Sequence, residues 1–142
     1  MWLQGKENSI FLYKKLNFFV FFRPDNGSNF QNWVLEPVPS GFRFRNVGSG
    51  LYLSQGIGSL ENAVITSADT GLYPGKRGIW RLVGAEIINL ATDKALTSSD
   101  VHTDINSIDS DSTPMVGVEV SDVYLYNGKQ QWIPFYKPGS CA

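Results

Sequence analysis

The sequence predicts an all-β domain made of three copies of a four-strand unit packed about a pseudo-threefold axis. Three observations carry this: three segments that align without gaps, a tryptophan that follows each of them, and no stretch with sustained helical periodicity and caps. Fourteen Gly, seven Pro and a 13% aromatic content fit a chain of many turns and strands. At 142 residues, 42% hydrophobic and 18% charged, the chain has the length of one domain and enough apolar surface for a core.

The aligned segments are 1–12, 42–53 and 85–96, each a short strand, a tight polar turn and a second strand. Asn46 and Asn89 share one position, where the first copy has Gly5; Leu12, Leu53 and Leu96 share another. A third strand is expected at Phe18–Phe22, at Ala63–Ser67 and within Val116–Tyr126. Trp33, Trp80 and Trp132 then each open an apolar stretch, the fourth strand of the unit. Twelve strands result, with repeats at about 1–40, 41–84 and 85–142. Asp100–Pro114 is polar and rich in Ser and Asp, which predicts a long loop. Four short strands cannot close a core alone; three such units can, so the tryptophans are expected in equivalent core positions. In Phe18–Phe22 both strand faces are apolar, and one of them, Phe18/Val20/Phe22 or Phe19/Phe21, should enter the core.

Composition excludes several functions. Twelve basic residues against thirteen acidic ones give a net charge of −1, too little for electrostatic capture of nucleic acid. A single histidine, His102, and a single cysteine, Cys141, leave no imidazole pair, disulfide or thiolate zinc cluster. Nothing orients two carboxylates for hydrolysis, so no catalytic residue and no enzyme activity is expected. Asp100, Asp104, Asp109, Asp111 and Asp122 lack the spacing and the glycine of a calcium loop and read as a solvated acidic segment; no metal or cofactor is expected. The apolar patch Leu16–Phe22 is too short to span a bilayer, and Arg23-Pro24-Asp25 follows it in place of a cleavage site, so the expected location is cytoplasmic or reached by unconventional release. Asn26-Gly27-Ser28 matches a glycosylation sequon but is more simply a turn.

Two Gln-x-Trp triplets, Gln31-Asn32-Trp33 and Gln130-Gln131-Trp132, end the first and third units, while the second reads Gly78-Ile79-Trp80. With the repeated hairpins, this pattern resembles the ricin-B-like β-trefoil family, including its fungal members, over essentially the whole chain. The resemblance implies a β-trefoil, and in many relatives sugar binding in shallow pockets. Each such pocket combines a carboxylate just after the second strand, an aromatic ring about ten residues before the Trp, and an Asn beside the Gln-x-Trp. Here the carboxylate position holds Tyr13, Ser54 and Thr97, the aromatic position Arg23, Thr70 and Asp122, and the Asn position Phe30, Arg77 and Lys129.

The expectation is therefore a lectin with atypical or partly lost sites, its partner a glycan or glycoprotein. The third unit leaves the best opening. A gap in its longer connection moves Tyr124 or Tyr126 into the stacking role, Asp100 supplies a displaced carboxylate, and Asn127 and Gln130 lie near the Gln-x-Trp. The competing reading makes Asn127-Gly128 a hairpin turn and one of the tyrosines core. A second function also stands. β-Trefoils of this kind include fungal protease inhibitors, and Tyr73–Gly78 would place Lys76 and Arg77 at a rigid loop tip suited to a trypsin-like pocket. A solvated basic turn is the alternative.

Overall fold

The computed structural model describes residues 2–5, 11–14, 20–23, 27–68, 75–98, 116–123 and 128–135. Twelve strands run through them: β1 Trp2–Gly5, β2 Phe11–Lys14, β3 Val20–Arg23, β4 Trp33–Val38, β5 Gly41–Asn46, β6 Tyr52–Gln55, β7 Val64–Ser67, β8 Trp80–Val83, β9 Glu86–Asn89, β10 Ala95–Ser98, β11 Val116–Ser121 and β12 Trp132–Phe135. There is no α-helix among the described residues. Single 3₁₀ turns at Asn29–Gln31, Gly75–Gly78 and Gly128–Gln130 lead into β4, β8 and β12.

The register repeats three times. Trp33 lies opposite Asn46, Trp80 opposite Asn89, and Trp132 opposite Gly5, so β12 returns to β1 as β4 pairs with β5 and β8 with β9. The sequence alignment of Gly5 with the two asparagines is thus a structural equivalence. In the remaining hairpins Leu12 faces Phe22, Leu53 faces Thr66 and Leu96 faces Val120. This puts Phe22 at the register position of Thr66 and Val120.

The core follows the same symmetry. Trp33 and Trp80 have no exposed surface and Trp132 almost none, and Phe44, Leu53, Val64, Ile87, Leu96 and Val120 pack with them. A buried indole must place its N–H, and here the fold supplies equivalent acceptors. Trp80 Nε1 donates to the Leu53 carbonyl and Trp132 Nε1 to the Leu96 carbonyl, both at 3.0 Å. Trp80 and Trp132 therefore each tie their strand to the second strand of their own repeat.

The matched asparagines clamp the hairpin turn they head to the 3₁₀ turn that leads into the preceding, paired strand, β4 or β8. Asn46 Nδ2 donates to the Phe30 carbonyl and Asn89 Nδ2 to the Arg77 carbonyl, both at 2.9 Å. Their side-chain oxygens accept from the turns they head, from Ser49 N at 3.1 Å and Ala91 N at 3.0 Å. Gly50 and Asp93 close these turns at equivalent places, with N–H bonds to the Asn46 and Asn89 carbonyls. Both lie in the left-handed region, at φ 73° and 59°. That region suits Gly and tolerates Asp, which explains two different residues at one position.

Candidate functional site

The register first decides where the resemblance's pocket positions fall. Ser54 and Thr97 occupy the carboxylate position, as counted from the sequence. The aromatic position, counted back from the tryptophan, had been expected at Thr70 and Asp122. Strand pairing instead makes Ser67 and Ser121 equivalent to Arg23, because Tyr52 faces Ser67, Ala95 faces Ser121 and Phe11 faces Arg23. The connection to the tryptophan differs in length between repeats, so a fixed count misses the position that hydrogen bonding fixes.

These two positions are joined to each other in the second and third repeats. The hydroxyls of Ser54 and Ser67 share a 2.8 Å hydrogen bond, as do those of Thr97 and Ser121. Ser54 Oγ also donates to the Tyr52 carbonyl at 3.1 Å and Thr97 Oγ1 to the Ala95 carbonyl at 2.9 Å. Ser54 is fully buried and Thr97 nearly so. At these positions of the second and third repeats the described residues are small hydroxyls that hydrogen-bond to one another.

Gln130, expected beside a sugar, has no exposed surface. Its Nε2 lies 2.7 Å from Asp122 O, 3.0 Å from Ser121 Oγ and 3.2 Å from Thr97 Oγ1, so one proton goes to the Asp122 carbonyl and the other to the hydroxyl pair. It therefore stands behind the pocket wall and fixes the chain at Ser121 and Asp122, where it cannot touch a ligand. Asp100, Tyr124, Tyr126 and Asn127 lie outside the described residues, as do Tyr73 and Pro74.

The basic turn departs from the expected loop tip. Gly75–Gly78 forms a 3₁₀ turn in which Lys76 is exposed. Arg77 folds back, and its Nη1 donates to the Gly56 carbonyl at 2.7 Å, while its own carbonyl accepts from Asn89. The pair is not presented together, because the guanidinium meets a backbone acceptor from the neighbouring β6–β7 connection.

A different site emerges between the second and third repeats. Asn62, in the β6–β7 connection, accepts through its carbonyl from Val120 N at 2.9 Å, and Ala63 bridges to Glu119. Lys94, in the β9–β10 turn, donates from Nζ to Asn62 Oδ1 at 2.9 Å. Between these elements opens a cavity of about 240 Å³ lined by Asn62, Lys94, Glu119, Val120, Ser121 and Asp122. Buried Val120 belongs to the core beneath it, while Asn62, Glu119 and Asp122 are exposed at its rim. Carboxylates accept hydroxyls and pair with cations, and ammonium and amide groups donate, so the cavity suits a small polar ligand. Among the described residues no group of three or more His, Cys, Asp or Glu side chains is placed to hold a metal ion. No helix among them is long and apolar enough to cross a membrane.

The cavity leaves no spacing motif in the sequence, because its walls come from three separated segments. The one available signal was acidic residues at Glu119 and Asp122, where the second repeat has Ile65 and Ala68.

Comparison with solved structures places the architecture. The chain superimposes on the designed threefold-symmetric protein ThreeFoil with a TM-score of 0.71 at 19% identity, covering 92% of this chain and 94% of that one. It is also similar to the Haemophilus ducreyi cytolethal distending toxin structure, with a TM-score of 0.71 and 19% identity over 93% of this chain and 80% of that chain. The C-terminal half of an earthworm R-type lectin, solved with GalNAc, matches with a TM-score of 0.64 at 13% identity over 93% of this chain and 94% of that one. No family profile matches the sequence, and no curated protein does. The chain is a β-trefoil of the architecture that an R-type, ricin-B-like lectin also adopts.

Proposed function

We propose that this protein is a non-catalytic carbohydrate-binding module of the ricin-B-like kind, with a single non-standard site in its third repeat. The observation that carries the reading is the open polar cavity at Glu119–Asp122, on a fold shared with a lectin solved with GalNAc. Fold alone does not assign function, so the weight rests on the chemistry of this repeat. In the second repeat Ile65 and Ala68 occupy the register positions of Glu119 and Asp122; the third repeat has carboxylates there, together with an ammonium and an amide from its neighbours. The residues that follow in sequence, Tyr124, Tyr126 and Asn127, complete the proposal with a stacking ring and an amide, and Asp100 adds an acceptor. The partner is a glycan or glycoprotein.

A glycan array on the pure protein tests the reading, with Tyr126→Ala and Asp100→Ala beside the wild type. Selective binding to defined glycans, lost in either variant with the fold retained, is the expected result. Absence of binding to every glycan would overturn it.

A further inference from the structure

Resting on the carbohydrate-binding reading, we propose that the cavity between the second and third repeats takes one monosaccharide ring of the amino-sugar class, with its protonated amine held by Glu119 and Asp122. Size sets the first limit. At about 240 Å³ the cavity falls below the roughly 300–1,000 Å³ of drug-sized pockets, which leaves room for one ring and not for a buried chain.

Charge sets the second. The described lining carries two carboxylates, Glu119 and Asp122, against one ammonium, Lys94. That balance attracts a cation, tolerates a neutral polyol and disfavours a carboxylate-bearing sugar. Lys94 has already committed one donor to Asn62 Oδ1, which fixes the ammonium at one wall, and its other protons suit ring or hydroxyl oxygens.

The walls are also preorganised. Val120 N to Asn62 O locks the two repeats together, and Gln130 holds the Asp122 carbonyl and Ser121 hydroxyl from inside. The backbone of the cavity is therefore in place before binding, and only the side chains exposed at its rim remain to be ordered. The acidic pair is not a requirement of the fold. By register Glu119 is equivalent to Ile65 and to Phe21, and the residue after the strand is Ala68 in the second repeat and Pro24 in the first. The same architecture is thus built without carboxylates twice in this chain, and the site occurs once.

The test is a titration of the isotopically labelled full chain at low salt with D-glucosamine, D-glucose, D-glucuronate and ethanolamine, followed by backbone amide NMR shifts. Glucosamine should shift the amides of residues 119–122 and saturate at least threefold tighter than glucose, with glucuronate weakest. A Glu119→Gln/Asp122→Asn double variant with an otherwise unchanged spectrum should lose at least tenfold in glucosamine affinity and bind it no better than glucose. Equal affinity for glucosamine and glucose would overturn the proposal, as would an undiminished double variant. A response to ethanolamine as strong as to glucosamine would also overturn it, since the ring would then contribute nothing. If sugars shift only amides elsewhere, this cavity assignment falls and the carbohydrate-binding reading stands. If neither these sugars nor any arrayed glycan binds, both fall.

Discussion

Replacing Asn89 by Ala removes a fully buried side chain that makes two hydrogen bonds, one from Nδ2 to Arg77 O at 2.9 Å and one accepted from Ala91 N at 3.0 Å. The two losses differ. Ala91 is exposed, so water replaces the lost acceptor and the cost is the ordinary net value of about 1 kcal/mol. The Arg77 carbonyl is partly buried beside Gly78 and Trp80, and an unsatisfied acceptor there costs about 1–3 kcal/mol. The sum is about 2–4 kcal/mol, a large share of the ~5–15 kcal/mol that holds a domain together. At about 2–4 °C per kcal/mol for a chain near this length, the midpoint should fall by about 4–16 °C. Asn89→Asp should be worse than Asn89→Ala although it is nearly isosteric, because it sets an oxygen against the Arg77 carbonyl. Asn46→Ala should match Asn89→Ala within about 1 kcal/mol, since Asn46 makes the same clamp to the Phe30 carbonyl. Urea unfolding followed by tryptophan fluorescence measures all three, with unchanged slopes as the control. A loss below about 0.5 kcal/mol in either Ala variant, or an Asp variant as stable as wild type, would refute the clamp.

Thr66 is nearly buried and its Oγ1 has no partner, while the third repeat has Val120 at that register position; Thr66→Val should therefore stabilise the protein by about 1 kcal/mol in the same urea assay, and a destabilised variant would contradict the symmetry argument. Trp80→Ala and Trp132→Ala should each cost about 3–5 kcal/mol, through an emptied core site and an orphaned Leu53 or Leu96 carbonyl. Calorimetry reads that loss, and a cost below 1 kcal/mol would place the tryptophan outside the core.

What the sequence disclosed is what recurs in it. Trp33, Trp80 and Trp132 repeat because three equivalent core positions need one large ring each. Asn46 and Asn89 repeat because two turns need the same clamp. Residues that act once leave no such trace. Arg77 looked like a loop tip because its partner, the Gly56 carbonyl, is a backbone atom that no side-chain pattern announces. Gln130 looked like a polar ligand contact because a buried glutamine and an exposed one are the same letter; its burial depends on Ser121 and Asp122 returning over it. Ser67 and Ser121 escaped the count from the tryptophan because loop length is free to vary while strand register is not. The cavity at Asn62, Lys94 and Glu119 escaped for the same kind of reason, since only folding brings those three segments together.

On the proposed function, carbohydrate recognition is confined to one site in the third repeat, since the Ser54–Ser67 and Thr97–Ser121 hydroxyl pairs stand where the resemblance implies a carboxylate and a ring. Titration calorimetry with the best glycan from the array, at a protein concentration above its Kd, measures the number of sites per chain. The expected result is one glycan per chain; two or three equivalent sites per chain would contradict it.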